Sequence, residues 1–279
     1  MTTDHHHDDA PDPDPDPGAT GSPLRDRRAL VTGASTGIGA AIATELATCG
    51  AHVAVNHLDD AEGAAEVVER VVAAGSDGFA IDADISDPAA VDALFDAVDS
   101  RWSGLEIVVC NAGVEGEREE AWSVDVESWR RVVEIDLVGT FLCARAALQR
   151  MIPAGRGVIV FISSVHEVIP WHGRSAYAAS KAGAAMLAKT LAMEAAPHGV
   201  RVLGVAPGAI ATTINADARD TPAERRDMLD KIPMERIGDP SDVATVVADL
   251  VSDRASYVTG STVFVDGGMT LYPSFERGG

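Results

Sequence analysis

The sequence predicts an α/β fold, a doubly wound parallel sheet with helices on both faces. Short apolar runs alternate along the chain with stretches of 3.6-residue periodicity, a pattern typical of βαβ units joined into one sheet. With 279 residues, 46% of them hydrophobic, the chain is long enough to bury a large core as one domain. The predicted strands are 29–31, 52–55, 78–81, 107–109, 158–162, 200–205 and 262–265, and the predicted helices are 40–48, 61–74, 89–102, 129–151 and 177–196.

Residues 1–23 differ in composition from the rest of the chain. They contain six Asp and no Lys or Arg, and Asp alternates with Pro between Pro11 and Pro17. Such a segment has too little apolar surface to build a core. We therefore expect a disordered acidic tail over 1–23, followed by a single domain over 24–279.

Charge and cysteine content exclude several classes of function. Lys and Arg number 22 against 43 Asp and Glu, a formal net charge of -21, which repels nucleic acid and anionic membranes. The three cysteines form no CxxC pair, so we expect no disulfide framework, no structural metal site and a reducing compartment. Neither a membrane-spanning run nor a basic secretory leader is present in the sequence, which favours the cytoplasm.

A glycine-rich turn follows the first predicted strand and leads directly into a helix. Its G-x-x-x-G-x-G spacing is related to the dinucleotide-binding fingerprint, in which glycines let backbone N–H groups approach a pyrophosphate. The same residues also read as G-x-S-x-G, the nucleophile elbow of hydrolases, but Ser35 follows the first strand, before any strand that would supply an oxyanion loop. We therefore expect a Rossmann-type dinucleotide site at Gly33, Ser35, Thr36, Gly37, Ile38 and Gly39.

The residues that follow the second strand bear on the choice of cofactor. A carboxylate about 20 residues past the glycines typically holds the adenosine ribose, whereas a cation there holds a 2′-phosphate. Asp59 and Asp60 lie near that distance, and 29–69 contain no Lys or Arg. NAD is therefore favoured and NADP remains possible. These two acids also suit a helix cap, which would leave Asn56 and His57 beside the ribose.

Three further signals follow the fourth and fifth strands. Asn111-Ala112-Gly113 follows the fourth strand, Ser163-Ser164 follows the fifth, and Tyr177 and Lys181 are one helical turn apart. Together with the glycine turn, these residues resemble the short-chain dehydrogenase/reductase family over the whole chain after the tail. Within that family, the stretches 163–171, 207–210, 214–216, 255–260, 266–270 and 272–275 are similar to the bacterial glucose 1-dehydrogenases.

The chemistry of a tyrosine beside a lysine supports this resemblance. A phenol has a pKa of about 10, so its use as a base near neutrality needs a depression of roughly 3 units. The Lys181 ammonium, on the same helix face, supplies a favourable charge. We expect Tyr177 to act as general base, Lys181 to stabilise its phenolate and bind the nicotinamide ribose, and Ser164 to orient the reacting oxygen.

One position departs from the family pattern. Asp136 stands where the family ordinarily has an asparagine that supports a water chain from the lysine to solvent. A carboxylate would draw the lysine closer and make the neighbouring tyrosine less acidic. We expect retained activity with a shifted pH optimum.

The resemblance implies further contacts. Asp84 is expected to bind the adenine amino group, and Asn111 and Gly113 to form the floor of the cofactor cleft. The contacts along the nicotinamide are expected from Pro207, Gly208, Ile210 and Thr212, together with Tyr177 and Lys181.

A sugar needs several placed polar partners, and Glu115, His166 and Asn215 match the sugar-contacting positions of the glucose 1-dehydrogenases, beside Ser164 and Tyr177. The expected reaction is oxidation of the anomeric hydroxyl of a glucose-like aldose to the lactone. Alternatives are a ketone or 3-oxoacyl reductase of the same family and a non-enzymatic nucleotide-binding protein. Family members commonly form homotetramers through their long helices, and the Ala-rich segments 129–151 and 177–196 are suited to close helix pairing.

Overall fold

Seven strands form one sheet within the part of the chain that the computed structural model describes, residues 22–212 and 221–271. All six strand pairings are parallel, and each strand covers a predicted one. The strands are β1 (Arg28–Val31), β2 (His52–His57), β3 (Gly78–Asp82), β4 (Ile107–Cys110), β5 (Gly157–Ile162), β6 (Val200–Pro207) and β7 (Thr262–Val265). Their order across the sheet is β3-β2-β1-β4-β5-β6-β7.

Helices cover both faces of the sheet, so the predicted doubly wound architecture is confirmed. One face packs against α1, α2 and α8 through residues such as Leu46, Val67 and Val247. The other packs against α3, α5 and α6 through residues such as Phe95 and Met151. The helices are α1 (Gly37–Thr48), α2 (Ala61–Ala73), α3 (Pro88–Arg101), α4 (Val126–Val133), α5 (Thr140–Ala154), α6 (Ser175–Ala195), α7 (Pro222–Leu229) and α8 (Pro240–Val251).

The strand order reverses beside β1, which pairs with β2 on one side and with β4 on the other. Connections from the two neighbouring strands therefore leave in opposite directions and open a crevice at their carboxyl ends. Ligands of open α/β sheets bind at such a switch point. The glycine turn after β1 and the Asn111 segment after β4 both lie there.

The helices differ from the prediction in two ways. The predicted helix 129–151 is interrupted between α4 and α5 by a π-helical turn, Glu134–Gly139, where the Thr140 hydroxyl donates to the backbone oxygen of Asp136 at 2.9 Å. The prediction also lacks α7 and α8. For α8 a signal was present, because Pro240 at its first turn follows Asp239 and apolar residues recur at helical spacing.

Some expectations fall on residues outside the described ranges. These are the acidic tail as far as residue 21, and Asn215. Within 22–212 and 221–271, no helix combines the length and apolar character needed to cross a bilayer.

Candidate active site

A single cavity at the carboxyl ends of β1, β4, β5 and β6 gathers most of the predicted site residues. Three predicted residues that the structure describes, His57, Asp136 and His166, do not line it. The predicted residues that do line it are Gly33, Ser35, Thr36, Gly37, Ile38, Gly39, Asp84, Asn111, Gly113, Glu115, Ser164, Tyr177, Lys181, Pro207, Gly208, Ile210 and Thr212.

The glycine turn is shaped by close backbone approach. Gly33 and Gly37 have φ of +58° and +57°, in the left-handed region that side chains disfavour. A Cβ on Gly39 would lie 2.4 Å from the Gly33 oxygen and 2.5 Å from Asn111 Nδ2. The turn therefore admits no side chain at these positions, and its backbone stays open to the cavity.

The start of α1 differs from the starts of the next three helices. Asp60, Asp87 and Asp125 cap α2, α3 and α4 with side-chain hydrogen bonds. Thr36, before α1, makes no such bond, and the first turn of α1 carries no acid. The backbone N–H groups and positive dipole end of α1 are thus free to bind an anion. This arrangement fits the pyrophosphate of a dinucleotide.

Two amide side chains, Asn111 and the buried Asn56, fix the turn in place. Asn111 Nδ2 donates to the backbone oxygens of Thr32 and Gly33, both at 2.9 Å. From the other side, Asn56 Nδ2 donates to the Ala83 oxygen at 3.0 Å while its Oδ1 accepts from Gly33 N at 3.3 Å. Asn111 therefore supports the cleft through its backbone partners. Asn56 was recognised in the sequence only as a neighbour of the ribose.

Asp60 and His57, at the end of β2, both have partners outside the cavity. Asp60 caps α2 by accepting from Gly63 N at 3.2 Å, and a hydrogen bond from Ser35 is the largest cause that lowers its pKa. His57 turns away from the cavity, with its side chain 6% exposed and its Nδ1 3.4 Å from Asp82 Oδ2. Leu58 lines the cavity in its place.

Asp84 also lines the cavity and is held by two partners. Burial raises its pKa, but hydrogen bonds from Ser86 and Arg131 outweigh burial and lower the pKa to about 2. Its Oδ1 accepts from Ser86 and its Oδ2 accepts from Arg131 at 2.8 Å. The carboxylate is thus charged over the physiological range.

Tyr177 and Lys181 lie on the first turns of α6, and Ser164 follows β5. Lys181 Nζ lies 5.4 Å from the Tyr177 ring centroid and donates to the Ile162 oxygen at 3.3 Å. Ser164 Oγ accepts from His166 N at 3.2 Å, and Ser164 lines the cavity together with Tyr177. All three side chains face one cavity wall, as the spacing in the sequence predicts.

The acidity of the phenol differs from the expectation. Burial raises the pKa of Tyr177, and although Lys181 and the Ser164 hydrogen bond lower it, the net direction is upward. The charges of Asp136 and Glu115 contribute to the rise. The expected depression is therefore absent from the protein by itself, because a lone ammonium does not offset burial and two carboxylates.

Asp136 lies under the lysine rather than in the cavity wall. Its side chain is fully buried, its Oδ1 accepts from Val114 N at 2.8 Å, and its Oδ2 lies 3.4 Å from Lys181 Nζ. Burial raises the pKa of Asp136 against the opposing effect of Lys181. Burial lowers the pKa of Lys181, but Asp136 and Tyr177 outweigh it, so the net shift is upward. The two groups form a buried ion pair that keeps the lysine charged.

The predicted substrate side is built by two segments that sequence reasoning did not connect. Glu115 lies 3.3 Å from Arg174 Nη2, and the Arg174 guanidinium lies over Trp171. His166 stacks on Trp171, at 4.2 Å between ring centroids, with its Nδ1 3.1 Å from the Ile169 oxygen. Burial lowers the pKa of His166. The imidazole is therefore neutral near neutrality.

Comparison with known proteins agrees with this geometry. A family model described as "Enoyl-(Acyl carrier protein) reductase" matches residues 33–270. A 3beta-hydroxysteroid dehydrogenase 1 of Eggerthella lenta is 47% identical over 91% of this chain and 98% of its own length. Glucose 1-dehydrogenase 2 of Bacillus subtilis is 42% identical over 90% of this chain and 97% of its own. The crystal structure of levodione reductase superposes with a TM-score of 0.84 at 32% identity, covering 89% of this chain and 99% of that one.

The fold and cavity define a nucleotide-dependent oxidoreductase. The chain belongs to the short-chain dehydrogenase/reductase family, whose members use NAD(P). The relatives differ in the substrates that their names give, so the substrate has to be argued from the cavity.

Proposed function

We propose that the protein oxidises a ring hydroxyl of a small cyclic molecule, with Tyr177 as the general base. The observation that carries this proposal is the meeting of Tyr177, Lys181 and Ser164 in one cavity wall with the uncapped start of α1. That arrangement supplies a proton acceptor, a fixed positive charge and an anion site within one crevice.

Each side chain has a distinct task in the proposed reaction. Ser164 Oγ orients the reacting oxygen, and Tyr177 Oη takes the hydroxyl proton. Lys181 stabilises the phenolate, and Asp136 keeps Lys181 charged and fixed beneath it. Bound nicotinamide supplies hydride transfer, the redox part of the chemistry. In its oxidised form the nicotinamide would carry a positive charge, which would oppose the rise in the pKa of Tyr177 that burial causes.

The same residues run the reverse reaction when the phenol is protonated. The raised pKa of Tyr177 in the protein by itself favours the protonated phenol, which donates to a carbonyl oxygen. The direction of turnover then depends on pH and on the ratio of the two nicotinamide forms.

NAD is the favoured cofactor within this proposal. Hydrogen bonds from Ser35, in the glycine turn, and from Gly63 lower the pKa of the Asp60 carboxylate. A 2′-phosphate at that end of the cleft would face a negative charge, whereas a free ribose hydroxyl would find an acceptor. Residues 29–69 supply no cation to offset that charge.

The proposed substrate is the anomeric hydroxyl of a glucose-like aldose. Glu115 in the cavity wall offers an acceptor to a second ring hydroxyl. The name of the Bacillus relative, and the resemblance of 163–171 to glucose dehydrogenases, support the assignment. His166 does not line the cavity, so it would support the substrate site by stacking on Trp171 rather than by touching the sugar.

A more apolar cyclic alcohol is the second candidate. The loop after Ser164 presents Val168, which is 61% exposed, and Val114 at the cavity wall is 39% exposed. Apolar side chains beside the site suit a ring with few hydroxyls, and the name of the Eggerthella relative points the same way.

One assay separates these candidates. Purified full-length protein is incubated with NAD or NADP and with glucose, a 3-hydroxysteroid, cyclohexanol or a 3-oxoacyl thioester, each oxidised or reduced in the appropriate direction. Reduced nicotinamide is followed by absorbance. We expect the highest kcat/KM with NAD and glucose. A preference for the steroid would replace the aldose by the apolar alcohol, and no turnover of any alcohol or carbonyl would overturn the proposal in favour of a nucleotide-binding protein.

We also propose a homotetramer in a reducing compartment such as the cytoplasm. Phe141 and Ile152 on α5, and Met186 and Met193 on α6, are exposed apolar side chains on the two long helices, and such faces call for a partner. The three cysteines are free thiols. Light scattering after size exclusion tests the assembly, and a monomer would overturn it.

A further inference from the structure

Arg174 joins the two segments on the proposed substrate side. Its Nη1 donates to the backbone oxygens of Glu115 and Gly116, and its Nη2 lies 3.3 Å from Glu115 Oε2. A backbone bond from Glu119 N to the Gly173 oxygen, at 2.9 Å, ties the same segments together. Arg174 therefore fixes both the backbone and the carboxylate of Glu115.

The Arg174 guanidinium packs against Trp171. Its Cζ lies 5.4 Å from the Trp171 ring centroid, and the His166 ring stacks on Trp171 at an interplanar angle of 11°. Trp171 and His166 both meet Tyr177 edge to face, with ring centroids 5.7 Å and 6.2 Å apart. The Arg174, Trp171 and His166 side chains thus form a chain of contacts that links Glu115 to Tyr177.

Glu115 is the member of this group that reaches the cavity. It lines the cavity together with Tyr177 and Ser164, and its side chain keeps 25% exposure. An ionised carboxylate only accepts hydrogen bonds, so its natural ligand partner is a hydroxyl. Arg174 Nε is buried without a partner among the described residues, which leaves the guanidinium one unused donor.

We propose that Arg174 is a positioning residue that fixes the Glu115 carboxylate in the cavity wall, so that the site selects neutral rings carrying a second hydroxyl beside the reacting one. The inference rests on the proposed function, because it takes Tyr177 as the site of reaction. A vicinal diol places one oxygen at Tyr177 and offers the other to Glu115. A carboxylate in the place of the second hydroxyl meets like charge and is rejected.

The first test measures selectivity. Values of kcat/KM are compared for cyclohexane-1,2-diol and cyclohexanol in the wild-type protein and in Arg174→Gln. We expect the diol preference to fall by about tenfold or more in the variant, since a misplaced acceptor no longer pairs with the second hydroxyl. Arg174→Lys should restore part of the preference, because it keeps the charge but not the planar fork.

Matched variants separate positioning from general damage. Arg118→Gln removes a cation from the same segment, one that makes no ion pair within the described residues, and should keep the wild-type preference. In Glu115→Gln the preference should also fall, and adding Arg174→Gln should cause little further loss, because both changes remove one interaction. An unchanged preference in Arg174→Gln, or full additivity in the double variant, would overturn the inference.

The second test needs no turnover. Carbon-13 NMR follows the Glu115 carboxyl during a pH titration of the protein without substrate. Burial raises the pKa of Glu115 and Arg174 lowers it, so Arg174→Gln should raise that pKa further. The same pKa in both proteins would overturn the inference whatever the activity. A raised pKa with no oxidation of any alcohol would instead overturn the proposed function, together with the substrate selectivity built on it.

Discussion

The proposed cofactor half and the proposed substrate half of the cavity are built by different means. In the cofactor half, glycines bring backbone against backbone, and the side chains of Asn56 and Asn111 serve mainly to hold that backbone. In the proposed substrate half, the long side chain of Arg174 bridges two segments that are far apart in the chain and packs against Trp171. Backbone packed against backbone tolerates few substitutions and suits a ligand that stays the same. Contacts made by side chains can be changed by single substitutions.

We expect the largest effect from a change to the reacting side chain itself, which belongs to neither half of the cavity alone. Tyr177→Phe removes one hydroxyl and should lower turnover by about 10²- to 10⁴-fold, the usual contribution of a general base. Cofactor affinity, measured by fluorescence titration, should remain measurable because the glycine turn is untouched. Retained turnover would remove the assignment of the base.

A substitution in the glycine turn should instead act on cofactor affinity, which Tyr177→Phe leaves measurable. In Gly39→Ala the new Cβ meets the Gly33 oxygen at 2.4 Å, and overpacking of this kind costs about 1–3 kcal/mol. We expect a weaker cofactor affinity and a lower melting temperature. Gly183→Ala is the matched control, because its Cβ meets only the mobile end of Leu137 at 3.1 Å. If Gly39→Ala and Gly183→Ala changed cofactor affinity and melting temperature equally, close backbone packing would not distinguish the glycine turn.

In the proposed cofactor half, the preference for NAD over NADP should depend on one side chain, that of Asp60. Asp60→Asn keeps a good N-cap for α2 but removes the charge beside the turn. We expect the preference for NAD over NADP, as a ratio of kcat/KM values, to fall severalfold. Asp87→Asn, the same change at the cap of α3, should leave the ratio as it is. If the ratio of kcat/KM values were the same in Asp60→Asn as in the wild-type protein, the adenosine ribose would not lie beside Asp60.

The smallest effect is a shift along the pH axis. The charge of Asp136 raises the pKa of Tyr177, so Asp136→Asn should lower that pKa. Alcohol oxidation needs the unprotonated phenol, and its acidic limb should move to lower pH. Carbonyl reduction needs the protonated phenol, and its basic limb should move the same way. Unmoved profiles would show that the departure from the family asparagine is silent.

The same contrast explains what the sequence could predict. All seven strands and the cofactor turn were predictable, because apolar runs and glycine spacing are local signals. The π-helical turn at Glu134–Gly139 was not, because helical periodicity absorbs one extra residue. The role proposed for Arg174 was not predictable either, since Arg174 and Glu115 are far apart in the sequence and meet only in the folded chain. His57 was misplaced because a polar residue at a strand end can face either side.

The π-helical turn has a consequence for changes in the length of the chain. It contains one residue more than an ordinary helix would need, and Asp136 reaches Lys181 from within it. Because the turn accommodates that extra residue, losing one residue there would restore an ordinary helix, and Cys143, Ala147 and Met151 would keep their places in the core. The same loss would change the backbone that carries Asp136 toward Lys181. The extra residue therefore serves the buried ion pair rather than the packing of α5.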